Sequence, residues 1–348
     1  MNSTLNELIN IIIEDSKKVL ANTNFSSFKN KSILLTGASG LIGTYLLASL
    51  YNILTSTNLK LKVNIAIHSD LPEFLRPLTE LLKCRVYQGD ITSRDFCKSL
   101  PKVDFIIHGA GYGQPGKFME DPIKTLQINT TSTLDLFEHL SKEGSLLFLS
   151  SSEVYSGLTK GSFKESQIGN TITTHPRACY IEGKRTGETI CNEYRKLGIN
   201  AKSARVSLVY GPGTRPKDAR VLNNFIEKAL TFGKIELLDQ GEAKRTYCYV
   251  TDAVEMLWDI LLFGRDAIYN VGGESRTTIK GLAKLIAKEI GVPVYFPEKS
   301  NDLVGAPDDV YLDLTKLKSE FKKTKFVSLR DGIKNTINWQ RFLCNEKT

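Results

Sequence analysis

The first two-thirds of the chain alternate between short apolar runs and longer segments in which apolar residues recur at every third or fourth position. Short apolar runs predict buried strands, and the longer periodic segments predict helices that cover them. We predict strands at Ser32–Leu35, Val63–Ile67, Arg85–Gln88, Phe105–His108, Leu146–Leu149 and Lys202–Leu208. Helices are predicted at Leu41–Tyr51, Pro122–His139 and Tyr180–Leu197. This alternation predicts an α/β fold with a doubly wound parallel sheet.

The two ends of the chain follow other patterns. Leu5, Leu8, Ile9, Ile12 and Ile13 recur at helical spacing, which predicts an amphipathic N-terminal helix packed on the domain. Beyond Tyr210 the elements become shorter, and a late helix is predicted at Thr278–Ile290. We expect this last part to form a smaller lobe over the cleft. The apolar side chains that we expect in the core include Phe118, Met119, Phe137 and Phe148.

The charge, the length of the apolar runs and the cysteine pattern restrict the classes of protein to which this chain could belong. The 348 residues include 46 basic and 38 acidic ones, a net charge of +8 that is spread along the chain. Nucleic-acid-binding proteins concentrate basic residues in a stripe, so we expect no nucleic-acid partner. No apolar run reaches the roughly 18 residues of a membrane span, and we expect neither a signal peptide nor a membrane partner. The six cysteines form no CxxC pair, which predicts free thiols, a cytoplasmic protein and no metal site.

Three glycines, Gly37, Gly40 and Gly43, follow the first predicted strand and open the first predicted helix. This order of strand, glycine-rich turn and helix is the context of a dinucleotide phosphate loop. We expect Gly37 to permit the tight turn, Gly40 to let the backbone approach a pyrophosphate, and Gly43 to let the helix pack on its strand. The free N–H groups at the helix N-terminus would bind the phosphates. Such turns also close ordinary strand–helix connections, so the interpretation depends on accompanying residues.

The accompanying residues lie downstream. Ser151 and Glu153 follow a buried-looking strand, and Tyr180 and Lys184 open a helix with the spacing that places both on one face. An ammonium beside a phenol favours the phenolate, and a phenolate can take a proton from a sugar hydroxyl. Ser151 could share that hydrogen bond. The combination predicts an enzyme that moves a hydride between a hydroxyl-bearing carbon and a dinucleotide.

These motifs resemble those of the extended short-chain dehydrogenase/reductases, in the nucleotide-sugar epimerase/dehydratase group. The resemblance covers residues 31–339 and rests on Thr36–Gly43, Gly89–Ile91, His108–Gly111, Asn129, the Ser–Tyr–Lys set, Tyr210–Pro212 and Arg245–Asp252. Within the group, Pro176–Arg185 and Asp218–Ile226 are most similar to UDP-glucuronate decarboxylases. The resemblance implies three parts: an N-terminal helical extension at 1–30, an NAD(P)-binding Rossmann domain at 31–212, and a mainly substrate-binding lobe at 213–348. A strand of this lobe could return to the Rossmann sheet.

The resemblance also implies roles for single residues. Ser151, Glu153, Tyr180 and Lys184 would be catalytic, and Ser152, Arg220 and Arg245 would bind the substrate, a nucleotide-diphosphate sugar. The implied cofactor-binding residues are Gly37, Ser39, Gly40, Leu41, Ile42, Gly43, His68, Asp90, Ile91, Gly109, Ala110, Asn129, Tyr180 and Lys184. Arginine suits the diphosphate through its fixed fork of donors, although surface ion pairs are the ordinary alternative for both arginines. By the same resemblance we expect a homodimer built on the helices Pro122–His139 and Tyr180–Leu197.

Glu153 and its neighbours bear on the outcome of the reaction. Decarboxylases and dehydratases of the group carry a Glu at this place, where it could remove the C5 proton of a 4-keto sugar. Dehydratases have an acidic residue just before it, but this chain has Ser152. The decarboxylase pattern is also incomplete, because Leu208 replaces an expected Asn and the segment Val304–Asp309 lacks an expected arginine. Decarboxylation, epimerisation and dehydration therefore stay open.

The cofactor and two other functions also stay open at this point. His68 stands where an Asp would select NAD, and Asp70 lies two residues further on, so NAD is expected with NADP as the alternative. One rival function is an oxidase or ketoreductase that exchanges its nicotinamide in each cycle. Another is a non-catalytic relative that binds a dinucleotide, which the intact Ser151, Tyr180 and Lys184 disfavour.

Overall fold

A computed structural model describes residues 3–21, 23–159, 161–215, 217–297 and 309–345. The strands in chain order are β1 (Lys31–Thr36), β2 (Leu61–Ile67), β3 (Arg85–Gln88), β4 (Val103–His108), β5 (Leu140–Ser151), β6 (Asn200–Val206), β7 (Leu208–Tyr210), β8 (Ile235–Glu236), β9 (Lys244–Tyr249), β10 (Ile268–Val271), β11 (Ser275–Thr278), β12 (Val294–Tyr295) and β13 (Asp309–Val310). The helices are α1 (Ser3–Ser16), α2 (Leu41–Ser56), α3 (Arg76–Leu81), α4 (Arg94–Lys98), α5 (Pro115–Glu120), α6 (Pro122–Asn129), α7 (Thr131–Phe137), α8 (Ala178–Lys196), α9 (Val221–Phe232), α10 (Val250–Phe263), α11 (Ile279–Ile290), α12 (Thr315–Phe321) and α13 (Leu329–Asn345).

Seven parallel strands form the central sheet, in the order β10–β6–β5–β4–β1–β2–β3. Successive side chains of a strand point to opposite faces of the sheet. Apolar side chains lie on both faces, and helices cover both. On β1, Ile33 and Leu35 belong to the cluster that includes α1, α2 and α10, whereas Leu34 belongs to the one that includes α4, α7 and α8. The expected Rossmann-type, doubly wound α/β fold is confirmed.

The N-terminal segment forms helix α1, which contacts α2. Leu8, Ile9 and Ile12 on this helix are at most 2% exposed. Asp15, near its end, accepts hydrogen bonds from the hydroxyls of Tyr45 and Tyr249 at 2.8 and 2.6 Å. These bonds join α1 to α2 and to strand β9. The N-terminal helix is therefore held both to the early part of the chain, through α2, and to its later part, through β9.

A second, four-stranded sheet is built from β11, β9, β13 and β7. The predicted single strand Lys202–Leu208 is wrong, because β6 ends at Val206 in the large sheet and β7 pairs with β9 in the small one. Strand β10 returns to the large sheet beside β6. The chain thus returns to the large sheet after residue 213. The division into segments 1–30, 31–212 and 213–348 stays a proposal.

Two other details differ from expectation. The predicted helix Pro122–His139 is divided at Thr130 into α6 and α7, and His139 lies in the turn that follows. Of the four apolar residues expected in the core, Phe118, Phe137 and Phe148 are at most 5% exposed, but Met119 is 43% exposed. Among the described residues, no helix is long and apolar enough to cross a membrane.

Candidate active site

The glycine turn between β1 and α2 has a geometry that excludes side chains at two of its three glycines. Gly37 has a φ of +72°, and a Cβ there would lie 2.3 Å from the carbonyl oxygen of Gly109. A Cβ on Gly43 would lie 2.5 Å from the Cα of Ala38. Gly40 caps α2 without a side-chain hydrogen bond. The turn therefore packs tightly against the end of β4, and the N-terminus of α2 has no side-chain cap, so its N–H groups could bind a phosphate.

A chain of hydrogen bonds holds the turn after β4 next to this glycine turn. Burial lowers the pKa of His108 to about 4, so its ring is neutral at ordinary pH. Its Nε2 lies 3.0 Å from the Ile128 carbonyl, which can only accept, so we assign the proton to Nε2. Nδ1 then accepts from the Thr36 hydroxyl at 2.8 Å, and that hydroxyl accepts from the Ala110 N–H at 3.1 Å. Gly109 and Ala110 are fixed beside Gly37 in this way.

The adenosine end of a dinucleotide would lie near the ends of β2 and β3. Burial alone would raise the pKa of Asp90, but hydrogen bonds from Lys124 and Thr92 lower it to about 2. The Lys124 ammonium lies 2.7 Å from the carboxylate. Beyond β2, His68 is exposed, and the exposed Asp70 accepts a hydrogen bond from the Gln88 amide at 3.1 Å. Ile91 is buried at 7% exposure.

Lys184 lies where the nicotinamide end would be. It is 5% exposed, and its Nζ donates to the Leu149 carbonyl at 2.7 Å. Burial lowers its pKa to about 7, although the nearby Glu188 acts in the opposite direction. A Cβ on Gly111 would lie 4.0 Å from this Nζ, so the turn after β4 passes beside the ammonium.

Asn129, at the end of α6, packs against the same part of α8. A Cβ on Gly183 would lie 3.3 Å from the Asn129 Cβ. The Asn129 side-chain amide donates to the Thr125 carbonyl at 2.7 Å, but its Oδ1 is buried without a hydrogen-bond partner in the described chain. An unmet buried acceptor of this kind calls for a further donor at the site.

Tyr180 stands on the first turn of α8 and stacks on Phe118, with ring centres 4.4 Å apart. Desolvation raises its pKa, and Glu153 raises it further, while a hydrogen bond with Ser151 and the charge of Arg177 lower it. The expected lowering of the Tyr180 pKa by Lys184 is wrong, because the pKa is raised and Lys184 is not among the groups that lower it. The Lys184 Nζ lies 5.6 Å from the ring centre and is bonded to the backbone, so desolvation of the phenol prevails.

Glu153 is in a short 3-10 helix, Ser152–Tyr155, directly after β5. Its N–H donates to the Ser151 hydroxyl at 3.2 Å, and its carboxylate accepts from the Ser156 hydroxyl at 3.2 Å. The other carboxylate oxygen lies 3.0 Å from Nη2 of Arg177. Arg177 belongs to the motif Pro176–Arg185, but the motif does not predict this ion pair. A basic residue one helical turn before the predicted catalytic Tyr180 was the available signal.

The structure therefore brings Ser151, Glu153, Tyr180 and Lys184 together at the carboxyl edge of the large sheet. The two arginines predicted to bind substrate have protein contacts of their own. Arg220 forms a two-pronged pair with Asp218, at 2.9 and 2.6 Å. Arg245, on β9, donates to the Lys244 carbonyl at 2.7 Å. Ser152 is partly buried beside Ser151 and Glu153.

Comparison with known proteins identifies the family of this chain. A sequence profile of the NAD dependent epimerase/dehydratase family matches residues 33–272. The chain belongs to this family.

Among its relatives, UDP-glucuronic acid decarboxylase 6 of Arabidopsis thaliana is 31% identical over 326 residues, 90% of either chain. UDP-glucuronic acid decarboxylase 1 of Xenopus tropicalis is 33% identical over 244 residues, which are 69% of this chain but only 57% of that protein. A solved structure, the Bacillus cereus UDP-glucuronic acid 4-epimerase in complex with UDP-glucuronic acid and NAD, matches with a TM-score of 0.74. It is 23% identical and is aligned over 90% of this chain and 99% of that one. At this identity the match shows the shared fold.

Proposed function

We propose that this epimerase/dehydratase-family member oxidises C4 of a nucleotide-diphosphate sugar to a 4-keto intermediate, using NAD. The observation that carries the proposal is the meeting of Ser151, Tyr180 and Lys184 beside the glycine-rich cofactor turn. Side chains that serve only the fold have no need of a phenol, a hydroxyl and a desolvated ammonium at one sheet edge. Converging geometry of this kind is the basis on which a site is assigned a reaction class.

The residues present fit NAD. The contact of Gly37 with Gly109 leaves backbone N–H groups for the pyrophosphate at the N-terminus of α2, where Ser39, Leu41 and Ile42 also lie. The unmet Oδ1 of Asn129 provides an acceptor beside α8. The exposed Asp70 supports NAD over NADP, because a carboxylate repels a 2′-phosphate. When bound, NAD supplies the acceptor for the electrons that leave C4 of the sugar, and it can return them.

In its phenolate form, which the Ser151 hydrogen bond and the Arg177 charge favour against desolvation, Tyr180 would take the proton of the C4 hydroxyl, and Ser151 would orient that hydroxyl by sharing its hydrogen bond. Lys184 lies under the Tyr180 ring and lines the cleft next to Gly111. A general base of this kind contributes roughly 10²–10⁴-fold to the rate. Arg220 and Arg245 would bind the diphosphate, with Arg220 sharing its guanidinium between Asp218 and the phosphates.

Glu153 is the residue that we assign to the proton transfer at C5 after oxidation. It would remove the C5 proton that the 4-keto group makes acidic or, where CO2 is lost from C5, return a proton to C5 of the enolate that results. The names of the aligned relatives favour decarboxylation of a UDP-hexuronate as the outcome. Ser152, in place of an acid, counts against dehydration. Leu208, in place of an amide side chain, is a departure from the decarboxylase pattern, so epimerisation stays the second candidate.

The test is a panel of UDP-, dTDP-, GDP- and CDP-sugars incubated with the NAD-loaded enzyme, with Tyr180→Phe as the matched control. Mass spectrometry separates loss of CO2, loss of water and loss of two hydrogens, and NMR detects epimerisation, which leaves the mass unchanged. Release of free NADH would support the exchangeable-cofactor oxidase or ketoreductase instead. Binding of NAD with no conversion of any sugar would support the non-catalytic relative and contradict our proposal.

We further propose that the protein forms a homodimer and that it is located in the cytoplasm. Helices α6, α7 and α8 are the ones that we expect at the interface. Ile123 on α6, Leu134 on α7 and the neighbouring Met119 are 65%, 45% and 43% exposed, which supports burial against a second copy. Cys84, Cys97, Cys179, Cys191 and Cys248 are free thiols, which supports a reducing compartment.

A further inference from the structure

Arg177 stands immediately before α8, one helical turn ahead of Tyr180. Its Nη2 lies 3.0 Å from a carboxylate oxygen of Glu153, in a pair that is about a quarter exposed, at 22% and 25%. Its Nε is buried and has no hydrogen-bond partner within the described residues. A buried donor without a partner is unfavourable and calls for an explanation, of which a functional role is one.

An aromatic ring joins the ion pair to the phenol. Phe118, on α5, stacks on Tyr180 with an angle of 10° between the two ring planes. The guanidinium carbon of Arg177 lies 5.9 Å from the centre of the same Phe118 ring, within the range of a cation–π contact. Tyr180 and Arg177 are therefore held against one buried side chain, while Glu153 is held by Arg177.

We propose that Arg177 is a positioning residue of this site, which holds Glu153 beside the Tyr180 phenol so that a neutral ion pair, and not a lone carboxylate, faces the reacting hydroxyl. This role rests on the proposed function of Tyr180 and Glu153. It assigns to Arg177 a part in the reaction that the sequence motifs did not indicate.

The charges around Tyr180 act in opposite directions. Desolvation is the largest cause that raises its pKa, and the Glu153 charge raises it further, whereas the Ser151 hydrogen bond and the Arg177 charge lower it. Lys184 faces the ring from α8, and from α5 the contact is the uncharged Phe118. Removing Arg177 alone would leave the Glu153 carboxylate opposed to formation of the phenolate, since like charges disfavour each other.

The test replaces Tyr180 with 3,5-difluorotyrosine in the otherwise intact, NAD-loaded protein. The fluorines make the phenol more acidic and report its ionisation by 19F NMR without any sugar substrate. We expect Arg177→Gln to move the titration midpoint to higher pH and Glu153→Gln to move it to lower pH. Arg177→Lys should stay close to the parent, because it keeps the charge, and the double variant should lie between the two single variants.

The control is Arg330→Gln, which removes an exposed guanidinium that pairs with Glu289 on other helices and should leave the midpoint unchanged. Equal midpoints in the parent, Arg177→Gln and Glu153→Gln, or shifts of both variants in the same direction, would overturn the proposal. If Arg177→Gln fails to bind NAD, the double variant still decides the role of Arg177: its midpoint should lie above that of Glu153→Gln, and equal midpoints would overturn the proposal. Because no sugar is used, this result is independent of the sugar panel, whose failure would instead contradict the proposed function.

Discussion

The close contact at Gly37, in the glycine turn between β1 and α2, can be tested quantitatively through protein stability and NAD binding. In Gly37→Ala the new Cβ would lie 2.3 Å from the carbonyl oxygen of Gly109 and 2.5 Å from the carbonyl carbon of Gly109. The backbone φ of residue 37 is +72°. The left-handed backbone costs an alanine about 1–2 kcal/mol, and overpacking against fixed backbone costs about 1–3 kcal/mol more. We expect the free energy of unfolding to fall by about 2–5 kcal/mol and NAD binding to be lost.

Two other glycines separate the two costs. Gly233 has a φ of +66° but nothing within 4 Å of its Cβ position, so Gly233→Ala should cost only about 1–2 kcal/mol. Gly116 is helical with open space around it, so Gly116→Ala should change stability by less than about 1 kcal/mol. Urea denaturation measures the stabilities and calorimetry measures NAD binding. Equal costs for Gly37→Ala and Gly233→Ala would refute the close contact between the turns after β1 and β4.

Three further predictions concern stability, cofactor choice and assembly. Burial lowers the pKa of His108 to about 4, while an unfolded chain protonates it near 6.5. The contribution of His108 to stability should thus fall by about 2 kcal/mol between pH 7 and pH 5, and in urea titrations at both pH values the change for the parent minus the change for His108→Gln should equal this loss. Asp70→Ala should raise the affinity for NADP relative to NAD roughly tenfold in fluorescence titrations, and an unchanged ratio would contradict the role of its charge. Ile123→Asp should yield monomers in analytical ultracentrifugation, and an unaltered mass would exclude this face as the interface.

Local pattern was sufficient for the parts of the fold in which each element buries a regular face. The alternation along β1 and the glycine turn before α2 could be predicted because neighbouring residues determine both. The break between β6 and β7 could not, since Ser207 lies between two strands that find partners in different sheets. The division of one predicted helix at Thr130 likewise could not be predicted from local periodicity; the backbone there has a φ of −115° and a ψ of −80°, between α6 and α7.

The candidate site divides in a similar way. The meeting of Ser151, Tyr180 and Lys184 was predictable from their spacing and from the resemblance, while their roles in the reaction stay a prediction. The partners of Glu153 and Arg220 were not, since ion pairs are made by side chains that meet only after the loops have folded. The raised pKa of Tyr180 was also missed, because desolvation depends on the surrounding protein and not on the spacing of Tyr180 and Lys184.

The central claim is that Tyr180 takes the proton from a sugar hydroxyl while bound NAD is reduced. A stopped-flow experiment can follow the absorbance of enzyme-bound NADH after NAD-loaded protein is mixed with UDP-glucuronate, or with whichever sugar the panel identifies. We expect a rapid rise in the parent and, in Tyr180→Phe with unchanged NAD affinity, a rise at least about 100-fold slower. A Tyr180→Phe variant that reduces its NAD as fast as the parent would contradict the account.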